Sequence, residues 1–274
     1  MRDAITKRVS TRSFLDQDLS KTDIEFILSV IEKYQSVKGP FGNQFEFTFN
    51  LNNKSETNGK KIGTYGLLKN VPAFIGGVSN NTAESIVDFG YVFEHIILEL
   101  TKKDYGTCWL GGTFKRNDYR KKLEDNQVIP AISPVGFSAK KRTLRDRALR
   151  TSAQSNNRLD DDILFHDYQH LKPLPKDLDI IVKQSLCLVK RAPSASNKQP
   201  WRLYVDGNTV HFYIERTPNY AKFMSYDIQL LDIGIALSHF DVGIRYFSKK
   251  PSYKKYSNAK EIPNQEYVIS IDIK

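Results

Sequence analysis

The 274-residue sequence predicts an α+β fold made of two fused, related halves, residues 1–150 and 151–274, with antiparallel-rich sheets flanked by helices. Three observations support this prediction. Segments with the two-residue period of strands are interspersed with longer segments that have a helical period. The order of these segments in the first half recurs in the second half. Two short sequence matches also connect corresponding segments of the halves.

The first half is predicted to contain four helices and four strands. In the helix at residues 23–39, Ile24, Ile27 and Ile31 recur at helical spacing and mark a buried face. Pro130 and Pro134 interrupt the last strand, which is therefore expected either at a sheet edge or with a break. The other helices are expected at residues 1–12, 82–102 and 115–123, and the strands at 45–51, 71–78, 106–112 and 128–137.

The second half begins with a polar, linker-like stretch at residues 151–162. The same order of a helix, two strands, a long helix and a strand then follows as in the first half. These elements are expected at residues 178–190, 202–205, 210–216, 228–247 and 267–273.

Two matches indicate that the halves arose by duplication. DFGYVFEH at residues 88–95 and DIGIALSH at residues 232–239 share Asp, Gly and His at an offset of 232 minus 88, or 144. NQFEFTF, which starts at Asn43, aligns with QPWRLYV, which starts at Gln199, at an offset of 199 minus 43, or 156. The unequal offsets require a difference in length between the matched segments.

The composition is that of an ordinary globular protein, since 40% of the residues are hydrophobic and 26% are charged. Apolar runs such as residues 72–78 are too short to span a bilayer, and the N-terminus contains no apolar segment of a secretory signal. We therefore expect a cytoplasmic protein without a membrane contact.

Neither the cysteines nor the histidines predict a metal site. Cys108 and Cys187 each lie in an apolar segment without a CxxC nearby, which favours buried thiols over a disulfide or zinc site. His166 and His170 have the spacing of one helical turn, but no third ligand accompanies them. We therefore expect no bound metal.

The formal net charge of +10 could indicate a nucleic-acid surface. The basic residues are spread along the chain instead of forming one dense stripe, so we expect no nucleic-acid partner. The same charge would favour a phosphorylated ligand. A nucleic-acid-binding protein would be colourless and would bind with a steep salt dependence.

Residues 191–205, RAPSASNKQPWRLYV, connect a predicted helix to a predicted strand. The turn contains Ser194, Ser196 and Asn197, whose side chains can hydrogen-bond local backbone and still offer polar groups to a ligand. From the residue pattern alone, the segment is either a ligand-binding turn or an ordinary helix end followed by a strand.

A second segment, RVSTRSF at residues 8–14, contains Arg8, Ser10 and Arg12 at a spacing of two. Two guanidinium groups and a hydroxyl at this spacing can converge on a phosphate, which arginine binds through a planar two-point fork. The alternative is a solvated basic N-terminus.

These segments resemble the PSxxNxQPW and RxSxR motifs of the nitroreductase family of FMN-dependent oxidoreductases, and the fused halves resemble the two-repeat TM nitroreductases. The resemblance implies a nitroreductase-like fold, in which the flavin lies between the subunits of a homodimer. Here the two motifs lie in different halves, so one complete site is expected between them. The second half has no RxSxR, and KGPFGNQFEF at residues 38–47 lacks the Ser and Asn pattern. We therefore expect a monomer that acts as a pseudo-dimer with one FMN.

The resemblance also implies roles for individual residues. Arg8 and Ser10 are expected at the phosphate and ribityl chain of the flavin, and Arg12 near the pyrimidine edge of its ring. The backbone of Gly111 and Gly112 is expected to approach the ring. The full set of expected cofactor-binding residues is Arg8, Ser10, Arg12, Leu110, Gly111, Gly112, Arg142, Pro193, Ser194, Ser196 and Asn197, with Lys69 as a weaker candidate.

The implied function is hydride transfer from NAD(P)H through FMN to a small acceptor such as a nitroaromatic compound or a quinone. No GxGxxG fingerprint follows a strand, so the nicotinamide is expected to stack directly on the flavin. No acidic or basic side chain is required as a catalyst, because the flavin carries the chemistry. The alternative is a flavin-binding carrier or sensor without turnover, in which both faces of the ring would be buried.

Overall fold

The computed structural model describes residues 1–52, 62–119, 122–139, 151, 157–220, 222 and 224–274. The first half contains α1 (Arg2–Lys7), α2 (Lys21–Gln35), β1 (Phe47–Leu51), β2 (Ala73–Gly77), β3 (Ser79–Asn80), α3 (Ala83–Lys102), β4 (Tyr105–Thr107), α4 (Arg116–Tyr119), β5 (Gln127–Val128) and β6 (Ile132–Phe137). The second half contains α5 (Asp161–Leu164), β7 (Phe165–Asp167), α6 (Ile180–Val189), the 3-10 turn Ala195–Asn197, β8 (Trp201–Asp206), β9 (Thr209–Ile214), α7 (Ile228–Tyr246), β10 (Pro251–Lys254) and β11 (Glu266–Ile273).

Each half contributes one main sheet. The first has the order β1-β2-β6-β4, and all its neighbouring strands are antiparallel. The second has the order β10-β11-β9-β8-β7 and is antiparallel except where β7 pairs with β8. The two sheets share one arrangement. β1, β2, β4 and β6 of the first sheet correspond to β8, β9, β10 and β11 of the second, and in both sheets these strands lie in the order first, second, fourth, third. A long helix, α3 or α7, connects the second of these strands to the third. A separate two-stranded sheet pairs β3 with β5.

The long helices α3 and α7 pack against each other, and each also contacts the main sheet of its own half. Side-chain caps begin both helices, since Thr82 accepts from the Ser85 amide and Asp227 accepts from the Gln229 amide. Both helices are apolar over most of their circumference, as expected of helices that are enclosed on several sides. The main hydrophobic core therefore extends through both halves.

The contact between α3 and α7 requires one glycine in each helix. A Cβ atom at Gly90 would collide with the Leu231 carbonyl oxygen, and one at Gly234 would collide with the Val87 carbonyl oxygen. Gly90 and Gly234 are the shared glycines of the two repeated motifs. The sequence match therefore coincides with the point where the helix backbones approach most closely.

The predicted helices at 23–39, 82–102, 178–190 and 228–247 are present as α2, α3, α6 and α7, with ends that differ by a few residues. Two predictions near residue 110 were too long. The expected strand at 106–112 ends at Thr107, and only Leu110 regains a bridge, to Ile132. The helix expected at 115–123 extends over Arg116–Tyr119 in the described part of the chain.

The prolines at 128–137 produce the expected break, because β5 and β6 are separate strands with Pro130 between them. Of the two predicted alternatives, the break is the one that occurs, since β6 lies between β2 and β4 and not at a sheet edge. Pro134 pairs only with Phe74 of β2, because the register with β4 ends at Val135. At Pro134, which has no N–H to donate, β6 therefore pairs with a neighbouring strand on one side only.

The structure confirms one of the two expected buried thiols and corrects the other. Cys108 is buried, whereas Cys187 is exposed. Cys187 lies one helical turn after the exposed Lys183, on the outer face of α6. His166 and His170 do not share a helix, since His166 is in β7 and His170 is in a turn.

None of the helices in the described residues has the length and apolar character that crossing a bilayer requires.

Candidate functional site

A cavity of about 610 Å³ lies between the two halves. Its wall brings together ten of the eleven residues that the sequence motifs single out, namely Arg8, Ser10, Arg12, Leu110, Gly111, Gly112, Pro193, Ser194, Ser196 and Asn197. Arg142 lies outside the described residues. Lys69 does not line the cavity, and its backbone pairs instead with Arg12 and Phe14.

The first wall is an extended segment that follows α1. Ser10 forms a bridge with Thr107 at the end of β4, and the Thr11 amide donates to the Thr107 carbonyl at 2.8 Å. Because side chains alternate along an extended chain, Arg8, Ser10 and Arg12 line the cavity while Thr11 is buried against Ser138. The RxSxR spacing therefore places its three polar side chains on one side.

Arg8 and Trp109 are supported by a buried carboxylate on α3. The Glu94 side chain is fully buried, and its Oε2 accepts a hydrogen bond from Trp109 Nε1 at 2.7 Å. Its Oε1 lies 2.9 Å from His239 Nε2 and 3.9 Å from Arg8 Nε. Glu94 thus joins a helix of one half to a histidine of the other and lies behind two cavity-lining residues.

The partners of His239 determine where its protons lie. Nδ1 is 2.9 Å from the Leu188 carbonyl oxygen, which can only accept, so Nδ1 carries a proton. Nε2 lies 2.9 Å from Glu94 Oε1, and neither side chain has exposed surface. This buried pair connects α3 to α7 directly behind Arg8.

The loop after β4 brings the backbone of Gly111 and Gly112 to the cavity wall, and the space for a side chain differs between the two glycines. A Cβ atom at Gly111 would lie 2.5 Å from Ile228 Cδ1, so the packing of α7 restricts that position. Among the described residues, a Cβ atom at Gly112 would meet only Met224, at 3.8 Å or more. Packing against the described part of the chain therefore does not require glycine at position 112.

The turn at 193–199 forms the second wall and contains strained backbone. Ser196, Asn197 and Gln199 have φ values of 48°, 57° and 50°, a region that residues other than glycine seldom adopt. The Gln199 amide donates to Ser194 Oγ at 2.9 Å, and the Ala195 amide donates to Asp232 Oδ1 at 3.0 Å. These bonds hold the turn against α7.

The polar side chains of the turn are engaged with protein partners. Ser196 Oγ accepts from the Tyr220 hydroxyl at 2.9 Å. Asn197 Oδ1 accepts from Arg158 Nη1 at 2.9 Å, and its Nδ2 donates to the Asn157 carbonyl oxygen at 2.9 Å. The motif residues line the cavity as expected, but their hydrogen bonds also fix the shape of the turn.

Asp232 lines the cavity with an unsatisfied carboxyl group. Its Oδ2 is buried without a hydrogen-bond partner in the described part of the chain. Burial raises the pKa of Asp232 well above its usual range; the Ala195 amide opposes this effect, and the charge of Asp227 adds to it. Burial at this position therefore favours the protonated form of the carboxyl group.

Several cavity residues were missed in the sequence. Asp232 could have been found, because it is the shared aspartate of the repeated motifs. Arg158 lies in the stretch that was predicted as a linker, and Tyr220 and Met224 belong to no motif. Among the described residues, the further lining residues are Leu67, Cys108, Trp109, Thr113, Arg158, Ala195, Lys198, Tyr220, Met224, Ile228, Leu231, Asp232 and Ile235.

The described residues contain no group of three or more His, Cys, Asp or Glu side chains that could hold a metal ion. The cavity instead combines the cations Arg8, Arg12, Arg158 and Lys198 with an apolar lining. This chemistry suits an anionic ligand that has a flat apolar body.

One solved structure shares the fold over nearly the whole chain. A solved structure from Thermotoga maritima, described as a putative nitroreductase, is 20% identical, and the match covers 99% of this chain and 93% of that one with a TM-score of 0.63. An FMN-dependent nitroreductase from Clostridium difficile is 21% identical, and the match covers 52% of this chain and 90% of that one with a TM-score of 0.40. A search of curated proteins found no match.

The family model described as "Putative TM nitroreductase" matches residues 1–244. This match includes both the RxSxR segment and the turn at 193–199. The chain therefore belongs to the TM nitroreductase family.

Proposed function

We propose that the protein is an FMN-dependent oxidoreductase that transfers hydride from NAD(P)H to a nitroaromatic or quinone-like acceptor. One observation carries the proposal. Two motifs that are 183 residues apart, since 191 minus 8 is 183, contribute their polar residues to the wall of the same cavity. Its volume of about 610 Å³ is within the usual range of cofactor sites.

The residues of the cavity fit FMN in three respects. Arg8 Nε and Asp232 Oδ2 are buried without hydrogen-bond partners in the described residues, as expected of groups that meet a ligand. Gly112 leaves space that packing within the protein does not demand. The cations suit a phosphate, and the apolar lining suits an isoalloxazine ring.

The chain provides binding, orientation and exclusion of water. Arg8 and Ser10 hold the phosphate and ribityl end, and Arg12 places a cation near the pyrimidine edge. Trp109, which Glu94 fixes, and Met224 form apolar parts of the wall. When bound, FMN supplies the redox chemistry, because it accepts a hydride from NAD(P)H and passes it to the acceptor.

We further propose that the chain is an intrachain pseudo-dimer with a single site. The common strand order of the two main sheets supports the duplication. By that order β10 corresponds to β4. The loop after β4 contains Gly111 and Gly112, whereas β10 is followed by Lys255, Tyr256 and Ser257, which include no glycine. The Tyr253 hydroxyl of β10 donates to Asp241 Oδ1 at 3.0 Å and lies 3.1 Å from the hydroxyl of Tyr91 on α3.

A flavin titration followed by anaerobic reduction tests these proposals. The purified protein should bind one FMN per chain and become yellow, and NADH or NADPH should bleach the colour in the absence of oxygen. A protein that stays colourless after FMN is added would refute the flavin site. A yellow protein that neither nucleotide bleaches would be a carrier, and two flavins per chain would contradict the single site.

A further inference from the structure

Three arginines from separate parts of the chain meet at one end of the proposed flavin cavity. Arg8, in the segment after α1, and Arg158, in the stretch before α5, both line that cavity. The same two residues line a second cavity, of about 820 Å³, to which Arg191 contributes from the end of α6. The two cavities therefore adjoin where these guanidinium groups lie.

The positive charges of the three arginines are poorly compensated. Burial lowers the pKa of Arg158, and the charges of Arg8 and Arg191 lower it further. The Arg8 side chain is only 8% exposed, and its Nε has no hydrogen-bond partner among the described residues. Glu94 Oε1 lies 3.9 Å from that Nε, but two other side chains already engage this carboxylate. An anion at this end of the cavity would relieve the repulsion between the arginines.

The turn at 193–199 holds Arg158 beside the cavity. Asn197 Oδ1 accepts from Arg158 Nη1 at 2.9 Å, and Asn197 Nδ2 donates to the carbonyl oxygen of Asn157 at 2.9 Å. Gln199 Oε1 accepts from the Leu159 amide at 3.1 Å. The turn thus binds the guanidinium group of Arg158 and also the backbone on both sides of it.

These bonds define what the motif asparagine does in the described structure. An asparagine side chain has one carbonyl oxygen and one N–H₂ group, and both have a partner in residues 157–158. Asn197 therefore orients a cation that lines the cavity, although its own side chain lines the cavity as well. The alternative role is a direct contact between Asn197 and the flavin.

We propose that Arg158 binds the phosphate of the flavin together with Arg8, and that Asn197 acts through Arg158 as a positioning residue. This inference rests on the proposed function, because it requires a flavin in the cavity. Arginine binds phosphate through a planar two-point fork, so the orientation that Asn197 gives to Arg158 affects the strength of the contact. The linker-like stretch between the halves thereby supplies part of the cofactor site.

A comparison of FMN with riboflavin, which has the same ring and ribityl chain but no phosphate, tests the role of Arg158. Fluorescence titrations of protein freed of flavin measure both affinities. Arg158→Ala should raise the Kd for FMN about tenfold or more, because a charge-assisted contact with the phosphate is lost. Its Kd for riboflavin should stay within about twofold of the wild-type value, which also shows that the variant is folded. Arg158→Lys should recover part of the FMN affinity, since lysine keeps the charge but not the fork.

Asn197→Gly tests the positioning role, because glycine adopts the φ of 57° at this position without strain. The variant should bind FMN more weakly and riboflavin as tightly as the wild type does. Adding it to Arg158→Ala should cause no further loss of FMN affinity, because both changes remove the same contact. If the two losses add, or if riboflavin affinity falls in Asn197→Gly, then Asn197 contacts the flavin directly and the positioning role is wrong.

Arg191→Ala is the matched control, since it removes the same charge at an exposed arginine that does not line the flavin cavity. Its Kd for FMN should rise at most about threefold. Equal losses in Arg158→Ala and Arg191→Ala, or equal wild-type affinities for FMN and riboflavin, would overturn the inference and leave the flavin site intact. A wild type that binds neither flavin would instead refute the proposed function.

Discussion

Asp88 and Asp232 occupy the same place in the repeated DxG motif but differ in their hydrogen bonds. Asp88 accepts from the amides of Phe41 and Asn43 and from Asn43 Nδ2, at 2.8 to 2.9 Å. Asp232 accepts only from the Ala195 amide, and its other oxygen is unsatisfied among the described residues. Both carboxyl oxygens of Asp88 therefore accept hydrogen bonds, in the half whose turn lacks the Ser and Asn pattern. Asp232, which lines the cavity, keeps one oxygen without a hydrogen bond among the described residues.

We expect Asp232→Asn to gain stability relative to the wild type as the pH rises from about 5 to 7. Burial raises the pKa of Asp232, so the folded protein keeps a proton that the unfolded chain releases above about pH 4. The wild type therefore loses up to about 1.4 kcal/mol of stability per pH unit in this range. Asparagine can still accept from Ala195. Urea unfolding at the two pH values measures the change.

The matched variant Asp88→Asn should behave differently. Asp88 now accepts hydrogen bonds from the amides of Phe41 and Asn43 and from Asn43 Nδ2. In Asp88→Asn, the new side-chain N–H₂ group would face at least one of these N–H donors, and two donors cannot bond to each other. We expect a loss of about 1 to 3 kcal/mol at pH 5 and at pH 7, because a buried donor loses its acceptor. Equal responses of the two variants would show that the aspartates have the same surroundings.

Gly111 and Gly112 allow a test that separates packing from cofactor binding. Gly112→Ala should fold with normal stability, since among the described residues its Cβ atom meets only Met224, but it should weaken FMN binding about tenfold because the ring is proposed to lie there. Gly111→Ala should lower stability by about 1 to 3 kcal/mol, because its Cβ atom would press on Ile228. Thermal unfolding without flavin and an FMN titration distinguish the two effects. Unchanged FMN affinity in Gly112→Ala would contradict this placement of the ring.

At the residue scale, the sequence predicts the parts of the site that are local in the chain. Arg8, Ser10 and Arg12 are recognisable because every second side chain of an extended segment lies on the same side of the backbone. Tyr220 and the unsatisfied oxygen of Asp232 are not recognisable, because their roles depend on contacts between distant segments.

At the scale of helices, α3 and α7 touch through Gly90 and Gly234. In an exposed helix, replacing glycine by alanine is favourable by about 1 kcal/mol. Here we expect Gly234→Ala to cost about 3 kcal/mol or more, since the new methyl group would collide with backbone of α3 that cannot rotate away. Chemical denaturation measures this loss, with Gly112→Ala as the control that makes the same substitution at an uncrowded position. A stabilised Gly234→Ala variant would exclude so close a contact.

Periodicity was sufficient for the long helices and for several strands, but not for the short elements. β10 is four residues long and half-exposed, so its sequence carries no clear alternation. The prolines at 128–137 left an edge position and a break open, and only the pairing partners of β6 decide between them, since Pro134 lies in an interior strand where the register with β4 ends. Such details depend on pairing partners that are distant in the sequence.

For the whole molecule, we expect acid to destabilise the interface between the halves. Burial lowers the pKa of His95 to about 4, although the nearby carboxylates Asp241 and Glu94 oppose this effect. The unfolded chain binds this proton near pH 6.5, so the stability is complete above that value and is lost as the pH falls toward 4. The loss amounts to about 3 kcal/mol. Because Asp232 has the opposite pH dependence, the difference between the urea midpoints of the wild type and of His95→Phe at pH 7 and at pH 4 measures this contribution.

His95→Phe tests the assignment, because phenylalanine can keep the ring contacts with Tyr34 and Tyr91 but cannot bind a proton. Asp241 would retain Arg245 and Tyr253 as partners. The variant should lose much of the acid sensitivity below pH 6.5. A pH profile identical to that of the wild type would assign the sensitivity to another group.

The position of Tyr253 beside α3 has a practical consequence. In a symmetric homodimer, every substitution occurs twice and changes both sites. In this chain, Tyr253 and Asp241 are encoded once and lie on the side of the α3–α7 contact that does not line the flavin cavity. A spectroscopic label or a new binding group at Tyr253 would therefore leave the residues that line the cavity unchanged.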